Sequence, residues 1–508
     1  MNQKRPHFAF LSGGAIPAEK FMRMESPAER LARYSWLIVL FWILAVLVLA
    51  WSRIPYDDEW FSITLASHTD WSHFWTSLRN DIHLPWFSLL DRVLMLIISW
   101  PGVLVIPRAL AGGAALMLFL SVLRGRKISP WVAVVAVFHP VVLMYAGSVR
   151  WYPYLLLGQA LRAWALWGPE RGKKSRMAFL AGSFLGPAAQ ILDLPFVLFD
   201  GAVFFFKERK RQLISAATTV ILSFIFALIP ALAARYFLKM VAGSFGLNLS
   251  TAPINLLQWG ILGVVGESHP PWPWILFAFF AVPAFLLGPL LALRNPLNRA
   301  PVLWACGQAA IWVAGSGFSV WHPRYSLLVW IVFNAFTASL WLSGRFMRGL
   351  FLARIGYLAC GIAFMAAGTG FLKGDLNGLP KSVCAEIQKS SPDLVVAPYP
   401  RTAALVHRLC PGLNLVTVRS IRHYPNIREQ LEPLLPEIAR SRRIMLLSVP
   451  TRGSSLEQTQ SRVRDLLASK FHLAEEREII EDRQAAVKRW FRGGEQPRRL
   501  RLELWIIP

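Results

Sequence analysis

The sequence predicts a polytopic α-helical membrane protein with a soluble α/β domain at its carboxyl end, and three observations predict it. Of the 508 residues, 55% are hydrophobic and 16% charged, and the mean hydropathy is +0.43, which is too oily for a soluble chain of this length. Uncharged runs of membrane-spanning length recur, separated by short basic clusters. From Lys373 onward the chain turns charged and alternates helical with extended patterns. The formal net charge of +25 would suit a nucleic-acid binder. Here, however, much of the excess Lys and Arg sits in short clusters between apolar runs, where it sets orientation in a membrane, so nucleic acid is rejected as a partner. The 22 Trp and 33 Phe fit aromatic belts at the two lipid interfaces.

Residues 1–33 are polar and basic, with Arg23, Arg30 and Arg33 just before the first apolar run. That run, Tyr34 to Ser52, lacks a small-residue cleavage site and reads as a retained anchor, with the amino terminus cytoplasmic. Residues 53–100 form the first external loop. Within it, His83 to Trp100 has apolar residues near a helical period (Leu84, Phe87, Leu90, Leu94, Ile98), interrupted by Asp91 and Arg92, which suits a helix lying in the interface.

Spans then alternate with basic loops over 34–372. Val103 to Leu123 ends at Arg124, Arg126 and Lys127, and Pro130 to Gly147 returns outward. Tyr154 to Trp167 leads in to Lys173, Lys174 and Arg176. Met177 to Phe206 is too long for one crossing and is broken at Gln190 to Pro195, so it reads as a tight hairpin with that turn outside. Leu213 to Leu238, Trp272 to Leu293, Val302 to Val320, Ser326 to Leu342 and Ile355 to Leu372 complete the series, with Arg294, Arg299, Arg345, Arg348 and Arg354 in inner loops. The sum is about eleven spans, with residues 373–508 extracytoplasmic and the chain in a cytoplasmic (inner) membrane in contact with its lipids.

In the tail, Lys381 to Ser390, Ala403 to Cys410, Ile427 to Ser441 and Ser455 to Ser469 read as helices. Leu394 to Pro398, Leu413 to Val418 and Ile444 to Val449 read as strands, and Ala486 to Phe491 with Leu500 to Ile507 as a closing hairpin across Gly493-Gly494. This is a small domain with a mixed sheet and its own core. Cys306 and Cys360 lie inside apolar runs. Cys384 and Cys410 in the tail either pair, closing a loop worth about 3 kcal/mol, or remain buried thiols.

The densest acidic cluster, Asp57-Asp58-Glu59, sits a few residues beyond Trp51, where the first span meets headgroups. Three adjacent carboxylates at that level either mark the solvated end of a span or serve a reaction centre. On the predicted topology they share one membrane face with His83, with Arg150 and Tyr152, and with His322, Arg324 and Tyr325. Arginines on the outer face run against the inward bias and need another reason. Acids beside separate arginines match the needs of one reaction: cations hold the phosphate of a lipid-linked sugar as leaving group, and a carboxylate takes the proton of an acceptor hydroxyl.

At these residues the chain resembles the C-type glycosyltransferases (GT-C), in particular the bacterial branch related to protein O-mannosyltransferases and aminoarabinose transferases of lipid A. Asp58-Glu59 after the first span match the family's Asp-Glu pair. His83-Leu84-Pro85-Trp86 stands for its His-Pro-Pro segment with the first proline replaced. Arg150-Trp151-Tyr152 and Pro323-Arg324-Tyr325 match its Arg-x-Tyr and Pro-Arg-Tyr elements. The resemblance implies a GT-C type fold, a polyprenyl-phosphate-sugar donor, a glycan, lipid or protein hydroxyl as acceptor, and an inverting single displacement at the outer leaflet. It suggests Asp58 as general base with Glu59 orienting or replacing it, while Asp57, which has no family counterpart, competes for that role. Arg324, Tyr325, Arg150 and Tyr152 would bind donor phosphate, and His83 would line the acceptor side with Asp57. No cofactor is expected: some distant relatives use a divalent metal, but no ligand set for one is evident here, and Glu267-Ser268-His269 would make a poor site. Two other readings compete. A transporter or flippase of a lipid-linked precursor would place polar groups near the bilayer midplane in inverted halves, whereas the charges here are expected to cluster at one face. A non-catalytic assembly protein would act through its external domain.

Overall fold

The computed structural model describes residues 27–52, 57–67, 71–79, 85–98, 100–124, 138–237, 272–315, 327–337, 340, 344–366, 382–397, 406, 410, 412–417, 435–448, 455–480 and 499–507. His83, the loop 239–271 with Glu267 and His269, the segment carrying His322, Arg324 and Tyr325, and the strand expected at Ala486–Phe491 lie outside them.

The first helix, α1 (Pro27–Ser52), shows why the chain belongs in lipid. Ser35, Val39, Trp42 and Val46 are buried, while Tyr34, Leu37, Phe41, Leu44, Val48 and Trp51 are exposed at the same three-to-four-residue spacing. A helix that buries one apolar stripe and exposes another has hydrocarbon, not water, on its outer side. Next come α2 (Asp57–Ser67), α3 (Trp71–Arg79) and α4 (Pro85–Ile97), all short. At 13 residues α4 rises about 20 Å, too little to cross a bilayer. Its orientation differs from the sequence expectation, because Asp91 and Arg92 face inward, both 2% exposed, while Leu90, Val93, Leu96 and Ile97 face outward. The two charges are its packed face rather than an interruption.

A 3-10 turn at Pro101–Leu104 leads into α5 (Val105–Arg124), which packs on α1. Then follow α6 (Pro140–Ala146), α7 (Tyr152–Trp167) and α8 (Lys173–Ala189). The hairpin expected at Gln190–Pro195 is present: α8 ends at Ala189, a 3-10 turn covers Ile191–Asp193, and α9 (Leu194–Phe237) returns. Within α9, Gln212 (φ −151°, ψ 73°) breaks the helical path, dividing it just after the basic run Lys207-Glu208-Arg209-Lys210-Arg211. The α7/α8 crossing is as close as backbones allow: a Cβ on Gly158 would lie 2.6 Å from the Gly186 nitrogen, and one on Gly182 2.5 Å from the Gly158 oxygen. Small residues at such a crossing let dispersion and buried polar groups hold helices that gain no hydrophobic force in lipid.

The remaining helices of this layer are α10 (Trp272–Ala292), α11 (Pro296–Gly315), α12 (Leu327–Thr337) and α13 (Arg345–Ala366). Two expectations are corrected here. Arg299 lies in α11, and Arg345, Arg348 and Arg354 lie in α13, not in loops, and Arg354 is fully buried. Among the described residues, three helices are by themselves long and apolar enough to cross a membrane (Tyr34–Trp51, Pro101–Leu123 and Gln212–Pro230), with Phe280–Ala292 a shorter apolar helix. One core of Trp42, Leu116, Tyr145, Tyr152, Phe179, Trp312 and Phe351, with many smaller residues, runs through α1 and α5 to α13.

The tail contains α14 (Ser382–Ser390), β1 (Leu394–Ala397), β2 (Leu415–Thr417), α15 (Leu435–Arg440), β3 (Arg443–Ser448), α16 (Ser455–Ala468), β4 (His472–Ile480) and β5 (Arg499–Ile506). The sheet order is β2-β1-β3-β5-β4, parallel on one side of β3 and antiparallel on the other, so the mixed sheet expected from the sequence is found. β5 pairs with β3 along one edge and with β4 along the other. The charged β4 hides its strand pattern because it is an edge strand with an exposed outer side. Cys384 and Cys410 are joined as a disulfide, with Cα atoms 5.4 Å apart.

Asp393 Oδ2 accepts the backbone N–H groups of Arg442 and Arg443 at 2.8 and 2.9 Å. These two donors hold its carboxyl below the usual carboxylate range. A depressed folded-state pKa stabilises the domain above the unfolded value, about 3.9, and that contribution is lost as pH falls through the folded value. Asp393→Asn is therefore expected to weaken this local contact modestly at pH 7, because solvent screens an exposed carboxylate. In the full-length protein, amide exchange at Arg442 and Arg443 should be faster than wild type at pH 7, with the difference fading as the pH falls below the folded-state value.

Candidate functional site

The acidic segment opens α2, and its described acid is closed onto a distant part of the chain. Glu59, 1% exposed, accepts the Val149 backbone N–H at 2.6 Å through Oε1. One turn further along α2, Ser62 Oγ accepts from Arg150 Nη1 at 2.9 Å. The turn Gly147–Trp151 between α6 and α7 thus docks on α2 through two successive residues. Asp58 occupies the α2 position four before Ser62, so the two positions share one helical face.

Behind this turn lies a buried ion pair that the sequence analysis did not single out. Arg108 on α5 donates to both oxygens of Asp91 on α4, at 2.7 and 2.5 Å, and both side chains are almost wholly buried. Its Nη1 also donates to the Leu104 carbonyl at 2.6 Å and its Nε to the carbonyl of Arg150 at 3.0 Å. Arg92, the next residue on α4, donates to the Ala66 carbonyl at the end of α2 at 3.2 Å and lies over the Trp71 ring. Tyr154 on α7 stacks on Phe87 of α4 with centroids 4.1 Å apart. Helices α2, α4, α5 and α7 are therefore fastened around one polar centre by charged and aromatic side chains.

Of the residues expected from the sequence, the structure brings Glu59 and Arg150 together. Tyr152 begins α7, fully buried, its ring against Tyr145 and Trp151 at 4.8 and 4.2 Å. Asp57 and Asp58 are placed in α2 by their backbone. Among the described residues, no three His, Cys, Asp or Glu side chains group closely enough to hold a metal ion.

Two further polar clusters are buried among the helices. Arg162, in the third turn of α7 and fully buried, donates to Asp200 Oδ2 and Asp193 Oδ2 at 2.7 Å each, to Asp193 Oδ1 at 3.0 Å and to the Gly182 carbonyl at 3.0 Å. Gln159 also donates to Asp193, and Trp304 and Gln308 donate to Asp200. In the other cluster, Arg354 donates to Asn334 Oδ1 at 2.8 Å between the rings of Phe285 and Tyr357. Each of these arginines was a visible signal: Arg108 and Arg162 interrupt apolar runs, and a charge inside a span carries a function or a partner.

No protein-family model matches the chain, and no match was found among curated proteins. Two crystal structures of ArnT from Cupriavidus metallidurans are similar to it. The one bound to undecaprenyl phosphate aligns with a TM-score of 0.51 at 11% identity, over 94% of this chain and 98% of that one. The apo-state structure gives 0.43 at 12% identity, over 93% and 98%. The first likeness is one of fold and runs through nearly the whole of both chains. The fold shared with that structure is a helical membrane protein with a small sheet at its end.

Arg162→Ala would leave Asp193 and Asp200 as two uncompensated buried carboxylates. It is expected to destabilise the helical bundle by about 3–5 kcal/mol, read as a large drop in thermal stability in detergent. The triple variant Arg162→Met, Asp193→Asn, Asp200→Asn should recover most of that loss.

Proposed function

We propose that the chain is an integral-membrane glycosyltransferase that moves a sugar from a polyprenyl-phosphate donor to a hydroxyl acceptor at the outer face of the cytoplasmic membrane. The observation that carries this reading is the docking of the Gly147–Trp151 turn on α2, which sets Arg150 one helical turn from the position of Asp58. That two hydrogen bonds tie this turn to the helix on which Asp58 stands supports the reading. The shared fold with an ArnT structure that holds undecaprenyl phosphate supports the choice of donor.

In this reading Asp58 takes the proton of the acceptor hydroxyl. The acceptor oxygen bonds the anomeric carbon as the bond from that carbon to the phosphate oxygen breaks, and the polyprenyl phosphate leaves with the electron pair, inverting the centre. Glu59 orients the α2 acids through Val149, while Arg150, with Arg324 and Tyr325, steadies the phosphate. Tyr152 supports Arg150 from the core, and His83 and Asp57 line the acceptor side. The domain division belongs to the same proposal: a cytoplasmic segment 1–33, about eleven spans over 34–372, and an extracytoplasmic domain 373–508.

The transporter reading gains one observation, the charges buried deep among the helices at Arg162 and Arg354. At Arg162 those charges are occupied with one another: four of its donated hydrogen bonds end on Asp193, Asp200 and Gly182. A cluster so closed fastens α7, α8, α9 and α11 together and offers little to a passing substrate.

The test is transfer of labelled sugar from polyprenyl-phosphate donors by the purified full-length protein. Asp58→Asn is expected to lower turnover by about 10²–10⁴-fold with the fold retained, and Arg150→Gln to raise the KM for donor. Full activity in Asp58→Asn would remove that residue from the base role.

A further inference from the structure

The pair Asp91–Arg108 does nothing in the reaction as written, yet it is the most completely buried charge pair beside the site. Arg108 spends its guanidinium on three different elements: both carboxylate oxygens of α4, the Leu104 carbonyl one turn before it, and the Arg150 carbonyl. The last of these bonds fixes the backbone from which the Arg150 side chain departs. Ser62 Oγ fixes the far end of that same side chain, and Glu59 fixes the residue before it. Arg150 is thus held at its carbonyl, at its guanidinium and at its neighbour's amide, by three side chains from two other helices.

We infer that Arg108, Asp91 and Ser62 are positioning residues that set the direction of the Arg150 guanidinium, and through it the affinity for the phosphate of the lipid-linked donor. The inference rests on the proposed function and deepens it. Arginine is required at position 108 because only a planar fork reaches both oxygens of Asp91 while its Nε points to a third acceptor. Lysine keeps the charge but presents a single ammonium that cannot make all of these bonds at once. Arg108→Lys therefore leaves a cation opposite Asp91 and releases the Arg150 backbone. Ser62→Ala leaves the backbone fixed and releases the side chain. The two changes disturb the same guanidinium from opposite ends.

The experiment measures binding of a polyprenyl phosphate to the full-length protein in lipid nanodiscs, with thermal stability recorded alongside. The variants are Arg108→Lys, Ser62→Ala, Asp91→Asn and Arg150→Gln, together with the doubles that carry Arg150→Gln. The expected result is that Arg108→Lys and Ser62→Ala each weaken binding about tenfold, the loss of one charge-assisted hydrogen bond. Neither should weaken it further once Arg150→Gln is present, because the group they position is gone. Apparent KM for donor should rise in the same proportion, with kcat at saturating donor changed less than twofold. A purely structural pair would lower thermal stability without this coupling. The inference is overturned if either single variant binds like wild type, or if its effect adds in full to that of Arg150→Gln. If Arg108→Lys does not fold, Ser62→Ala, which removes one hydroxyl, decides alone. Wild-type protein that bound no polyprenyl phosphate would overturn the donor reading itself and this inference with it. That result shows in the wild type and not in the pattern among variants.

Discussion

The buried bidentate pair between Arg108 and Asp91 is the interaction on which the packing of α2, α4, α5 and α7 depends. Neither charge has solvent to turn to, and an unpaired ion in so low a dielectric would cost several kcal/mol, so the helices that carry them cannot separate independently. The pair explains why α4, only 13 residues long, lies with its charges inward and its leucines outward. It also explains how a turn between two helices can present a cationic side chain with definite direction. The turn is gripped from α2 at Val149 and Arg150 and from α5 at the Arg150 carbonyl.

The same rule recurs deeper in the bundle with different partners. Arg162 balances two aspartates that arrive on α9 and on the turn before it, and Trp304 and Gln308 on α11 complete the acceptor side of Asp200. Such a cluster needs close backbones. The glycines at 158, 182 and 186 supply them, and a Cβ at Gly186 would fall 2.0 Å from Asp193 Oδ2. Packing and polar satisfaction are one requirement here, because the ionic groups meet only where no side chain stands between the helices.

In the tail the hydrophobic effect returns as the organising force. β1 and β3 are buried on both faces, between one core of Val383, Ile387 and Met445 and another of Ile438, Leu446 and Val463. Polar bonds there act locally, as at Asp393, or tie a helix to the sheet, as where Arg464 on α16 reaches Glu503 on β5. The membrane part and the tail thus reach stability by opposite means, one by matching buried charges and the other by burying apolar strands from water.

The amino-acid sequence by itself determined the class of molecule, the placement of most helices, the hairpin at Gln190–Pro195 and the mixed sheet of the tail. These follow from local hydropathy, from the spacing of basic residues and from period-two or period-3.6 patterning, all of which act over a few residues. It also pointed to the acids of α2 and to Arg150, because charges at a membrane rim stand out against an apolar background. Only the tertiary structure decided that Asp91, Arg92, Arg108, Arg162 and Arg354 are interior groups and which partner each takes. It alone gave β5 its neighbour in β4. A charge inside an apolar run reads the same whether it faces lipid, water or another helix, and an edge strand reads as a charged loop. Asp91 and Arg108 pair across 17 positions and Arg162 reaches Asp200 across 38, and no local pattern encodes a distance of that kind.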